Sequence, residues 1–233
     1  MLVLGGAIVK ASTTDVYMRY VKHGLRPVLI IGGALLIAAA VMTLWYETRA
    51  VVRDETDHGH EHGHGHGEPR FGWLLVLPVI GLLIVAPPAL GAYTAAQSGS
   101  ILTAQGSASD YAPLPPGDPV QLGMLDYASR AVFDRGRSLT GRHLELSGFV
   151  TPGPNGQPML ARIVVSCCAA DGRPIKVGLA GDVPTGVATN SWLQVIGAYT
   201  PTVGTDPVNG AAVPYLRVTS WQQIPEPAEP YDG

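Results

Sequence analysis

The sequence predicts a membrane α-helical N-terminal half joined to a small all-β C-terminal domain, best read as an OB-like barrel. Three observations predict it. Two long apolar runs lie in the first 93 residues. Five short strand-like runs separated by turns fill the second half. Charged residues make up only 14% of 233, an apolar excess that points to a bilayer. The boundaries follow: 1–92 as a membrane region with a His-rich loop at 54–69, 93–119 as linker, and 120–233 as a helix plus barrel.

The chain opens on "MLVLGGAIV", apolar but too short to span. Lys10 follows this run instead of preceding it, so it does not read as a signal peptide. It reads as the stub of a third, truncated membrane helix or as an interfacial segment, and "TTDVYMRYVKHGLRP" connects it to the first clear span. That span, "PVLIIGGALLIAAAVMTLWY", lies between Arg26 and Glu47. It has the roughly 20 residues needed to cross a bilayer as a helix. Trp45 and Tyr46 at its end suit the interfacial belt. The second span begins at Phe71, "FGWLLVLPVIGLLIVAPPALGAY", with a kink expected at Pro78.

Two spans put the N-terminal stretch and the C-terminal region on one side and the histidine loop on the other. Lys10, Arg19, Lys22 and Arg26 flank one side; Arg49, Arg53 and Arg70 flank the other. The small-residue stretch "AYTAAQSGSILTAQGSAS" looks like an exported linker and favours an extracytoplasmic C-terminal domain.

"PVQLGMLDYASRAVFD" reads as a helix, with Leu122, Leu125, Ala128 and Val132 at helical spacing. The strands follow: "HLELSGFV", "MLARIVVSCC", "RPIKVGLA", "NSWLQVIGAYT" and "VPYLRVTSWQQI". The aromatics Phe149, Trp192, Tyr199, Tyr215 and Trp221 read as core and rim. A net charge of -3 and the lack of a basic stripe exclude a nucleic-acid partner.

Two stretches carry chemistry. In "DHGHEHGHGHGEP", His58, His60, His62, His64 and His66 alternate mostly with glycine. Extended residues two apart are separated by roughly 6.6 Å, too far for a rigid array to close on one ion. Glycine lets the backbone fold back so that rings converge. Such a loop predicts reversible binding of zinc or another divalent transition metal. In "VVSCCAADGRP", Cys167 and Cys168 are the only cysteines of the chain, which rules out a disulfide framework. In a flat strand they would point to opposite faces. If the strand ends there in a turn, both sulfurs can approach one ion, with Asp171, His143 or a partner protein completing the site. Core packing of one cysteine, metal or metalloid binding, and redox chemistry all remain open from the residues. No phosphate loop, nucleophile elbow or catalytic triad is present, so the chain does not read as an enzyme.

Two membrane segments around a His-rich loop, then a β domain with "ARIVVSCCAAD", "WLQVIGAYT" and a terminal "PYDG", resemble the YcgQ-like family of bacterial membrane proteins. The resemblance implies an accessory subunit of a larger, many-spanning permease in the plasma membrane, with some members tied to zinc homeostasis. A membrane-anchored thiol redox or protein-docking module is the alternative.

Overall fold

The computed structural model describes residues 2–54, 89–102 and 111–232. The chain divides into two units, Met1–Tyr17 with His23–Pro88 and Met18–Lys22 with Ala89–Gly233.

The first unit contains two helices, α1 (Leu2–Thr13) and α2 (Arg26–Asp54). They pack antiparallel. Arg26 Nε donates to the Ser12 carbonyl (2.9 Å) at one end, and Gly5 meets Gly33 and Ile37 further along. A side chain on Gly5 would come within 3.0 Å of the Gly33 carbonyl, so the close approach depends on glycine. Among the described residues, α2 alone is long and apolar enough to cross a membrane, over Arg26–Tyr46. Its Val28, Ile31, Leu35, Met42 and Leu44 are exposed. The Arg49 guanidinium covers the Trp45 ring at 4.0 Å. Residues 71–88 of the second expected span, and the whole histidine run, lie outside the described residues.

The second unit is a closed five-stranded barrel. Its long strands are β2 (His143–Pro152), β3 (Pro158–Val164), β4 (Arg173–Gly181), β5 (Trp192–Thr205) and β6 (Ala212–Ile224). Around the barrel they run β2-β5-β6-β4-β3, and β3 pairs back onto β2. Only β4 and β6 are parallel; the other barrel neighbours are antiparallel. Two short strands extend the sheet. β1 (Val120–Gln121) lies parallel to β2, and β7 (Tyr231–Asp232) lies parallel to β3.

The alternation expected in "HLELSGFV" holds at Leu144 and Leu146, both fully buried. It stops at Gly148, after which Phe149, Val150 and Thr151 are all buried. The outer face there is covered by α3 (Ala92–Gln97), whose Ala92 and Ala95 pack with Phe149, Ile163 and Trp192. Phe149 and Trp192 meet edge to face at 5.7 Å. The stretch expected as linker, 93–119, thus begins inside a packed helix, and Leu102 reaches the main core.

Helix α4 (Met124–Val132) buries Met124, Tyr127, Ala128 and Ala131. Leu122, Leu125 and Val132, the positions singled out by spacing, pack at the margin of that core with Ala128 at its centre. The helix begins later than its apolar pattern because Val120 and Gln121 form β1 first. Its first turn is capped from far away: Leu125 N–H donates to the Asp232 carboxylate (3.0 Å). Tyr127 is fully buried, its hydroxyl donates to the Tyr215 carbonyl (2.6 Å), and burial pushes its pKa well above the usual phenol range.

Candidate metal centre

β3 ends at Val164, three residues before Cys167. The chain then bends through Ser166–Cys168 into a single 3-10 turn, Ala169–Asp171, before β4 starts at Arg173. Asp171 makes this bend. Its carboxylate accepts N–H bonds from Ser166 (2.8 Å), Cys167 (2.8 Å) and Cys168 (3.3 Å). A carboxylate gathering three successive amides curls the backbone around itself, the side-chain equivalent of a turn.

The curl turns both thiols to one side. Cys167 Sγ and Cys168 Sγ lie 3.7 Å apart, and with an Asp171 oxygen they fall within 4.8 Å of one another. The flat-strand arrangement, with sulfurs on opposite faces, is not adopted. Cys167 is exposed; Cys168 and Asp171 are half-buried.

The electrostatics follow from the closeness of the carboxylate and the two sulfurs. The Asp171 carboxylate, and after that the Cys168 sulfur, push the Cys167 thiol up to about 11. The neighbouring Cys167 thiol, with the backbone amides of Ser166 and Cys167, holds the carboxylate at about 2. An ionised carboxylate has roughly four acceptor positions. Three go to amides, which leaves one open beside the sulfurs. A metal ion there would meet that oxygen position together with two sulfurs. Tetrahedral zinc with thiolates at about 2.3 Å sets its sulfurs about 3.8 Å apart, close to the separation already present. A disulfide needs about 2.05 Å.

The turn rests on β7. Val165 N–H donates to the Asp232 carbonyl (3.3 Å), and Arg162 donates to the carbonyls of Glu229 (2.8 Å) and Tyr231 (3.4 Å). "ARIVVSCCAAD" and the terminal "PYDG", far apart in sequence, are therefore neighbours. Residues 130–232 match the DUF1980 C-terminal domain. The DUF1980 match runs from α4 through all five barrel strands to β7, and so contains the cysteine turn and its support. No curated protein and no solved structure matches the chain.

Of the residues singled out by sequence, Cys167, Cys168 and Asp171 come together. His143 does not join them; its Nδ1 lies 2.8 Å from Asp118 Oδ1 at the start of β2. His58, His60, His62, His64 and His66 lie outside the described residues. Sequence reasoning missed Tyr231 and Asp232 as supports, and missed the segment Met18–Lys22, which lies against the turn. The "PYDG" ending was a visible signal for the former. Nothing local marks the latter.

Proposed function

We propose that this chain is a membrane-anchored accessory subunit that handles a divalent transition metal, zinc before others, for a larger multi-spanning permease. The observation that carries the metal reading is the 3.7 Å separation of Cys167 Sγ and Cys168 Sγ beside a carboxylate. Two thiolates and one carboxylate are ligands zinc accepts, and three protein ligands leave the fourth position open for exchange. An open, partly exposed set suits loading and unloading better than a closed structural site. The histidine run, with five imidazoles on a glycine-rich backbone, supplies a collecting segment of weaker sites.

The exposed apolar face of α2 supports a bilayer around this helix. The permease partner, the plasma-membrane location and the extracytoplasmic side rest on the family resemblance and on the small-residue linker. The five-stranded barrel is read as OB-like, serving as a docking body without a nucleic-acid role, since the chain is acidic. The sulfur separation fits a shared zinc better than the roughly 2.05 Å of a disulfide, which favours the metal reading over a redox one.

The test is isothermal titration of zinc into the reduced full-length protein in detergent. The Cys167→Ser, Cys168→Ser double variant loses the tightest site, and a variant with the five run histidines changed to alanine loses the weaker ones. Unchanged tight binding in the double cysteine variant overturns the barrel site. Co-purification with a co-expressed neighbouring permease tests the subunit reading separately.

A further inference from the structure

Met18–Lys22 links α1 to α2 in sequence, yet it folds with the barrel unit. It runs antiparallel across the cysteine turn. Lys22 N–H donates to the Cys167 carbonyl (3.1 Å), and Ala169 N–H donates to the Tyr20 carbonyl (2.7 Å). Between these two bonds Val21 pairs with Cys168. Bonds that flank a pair in this way define the non-hydrogen-bonded antiparallel position, where the two Cα atoms lie about 4.5 Å apart and the side chains are closest. Val21 therefore stands beside Cys168. One residue further back, the Arg19 carbonyl accepts from the Tyr231 hydroxyl (2.6 Å), which accepts in turn from Leu90 N–H (3.1 Å). Arg19, Tyr20 and Lys22 are thus each tied by a backbone atom to the turn or to its support.

The strap's anchors on the turn are backbone atoms of Cys167 and of Ala169, on either side of Cys168. A metal gripping both sulfurs restricts the same backbone. Ordering the turn once serves both events, so each lowers the conformational cost of the other. We infer that Tyr20–Lys22 is a metal-coupled strap: a thiophilic divalent ion at Cys167 and Cys168 and the docking of this segment stabilise each other. Metal loading of the barrel is thereby transmitted to the connection between α1 and α2. The inference rests on the metal reading above. The coupling is reciprocal, so loosening the strap weakens the metal by the same factor by which the metal tightens the strap.

The experiment is hydrogen–deuterium exchange on the reduced full-length protein in detergent, with and without zinc chloride, alongside zinc titration of Lys22→Pro and Lys22→Ala. Lys22→Pro removes the donor to Cys167; Lys22→Ala keeps it and removes only the charge. Zinc should slow exchange in peptides covering 18–23 as well as 166–172. Lys22→Pro should weaken zinc about fivefold or more, with Lys22→Ala close to wild type. Zinc protection confined to 166–172, with full affinity in Lys22→Pro, overturns the strap and leaves the metal reading standing. No zinc protection at 166–172 overturns both. Should Lys22→Pro fail to fold, the exchange of residues 18–23 in wild type against the double cysteine variant decides: zinc protection present in the first and absent in the second supports the strap, and equal exchange in both overturns it.

Discussion

The barrel holds two polar clusters that differ in one respect, access to water. Lys176 and Asp206 form an ion pair at 2.8 Å with almost no exposure of either side chain. Lys176 Nζ also donates to the Ser98 carbonyl (2.9 Å), and the Asp206 carboxylate accepts from Ser100 N–H (3.1 Å) and Val208 N–H (2.8 Å). This cluster staples the 98–102 segment and the β5–β6 turn to β4, and its bonds stay within the protein. Cys167, Cys168 and Asp171 lie in an open bend, with the two sulfurs 3.7 Å apart beside one carboxylate. A sealed, internally satisfied cluster holds structure. An open one with convergent, unspent ligand atoms is free to take an ion.

The contrast breaks most sharply at Lys176. Lys176→Met leaves Asp206 buried without its partner and should cost about 3–5 kcal/mol in denaturant unfolding. A cost near zero would mean that water reaches the pair and that the two clusters are not different in kind. Next comes Asp171→Asn, which swaps one oxygen for an amide in the bend that aims the thiols. Zinc affinity should fall about 10- to 100-fold, read by competition with a chromophoric chelator, while Lys176→Met protein that still folds keeps its affinity.

Acid sharpens the comparison in a third way. Burial alone would raise the Asp206 carboxyl, but the Lys176 ammonium and the amides of Val208 and Ser100 together hold it below the usual carboxylate range. Its contribution is therefore present above the unfolded value of about 3.9 and is lost as pH falls through the lower folded value. Unfolding midpoints measured from pH 6 down to pH 3 should drop, and Asp206→Asn should flatten that part of the drop. The smallest effect belongs to the cysteines themselves. Cys167→Ser with Cys168→Ser should leave the metal-free denaturant midpoint where it was, because the exposed turn is held by the Asp171 carboxylate and not by sulfur. A large shift would make the pair a structural element.

Much of the barrel was legible because period-two patterning and turn residues are local signals. Leu144 and Leu146 alternate with Glu145 and Ser147, and the GPNGQ part of "TPGPNGQ" separates β2 from β3. The covering of β2 by α3 was not legible. Ala92 and Ala95 are small residues in a Gly/Ser/Ala-rich stretch, and only their partners Phe149 and Trp192 reveal them as core. The proposed metal ligands were legible as residue types at Cys167, Cys168 and Asp171. Their convergence was not, because the same letters on a continued strand would send the sulfurs apart.

By itself the sequence determined an uncharged helical run long enough to span a bilayer, five strands, and a cysteine pair with an acid three residues beyond it. These depend on composition and on periods of two or 3.6 residues, which neighbouring positions carry in full. The tertiary structure alone decided that β3 stops at Val164, that Asp232 caps α4 and supports the turn, and that Val21 meets Cys168. The last two are contacts between residues far apart in sequence, decided by which backbone groups find partners once the barrel closes, and no local pattern encodes that outcome.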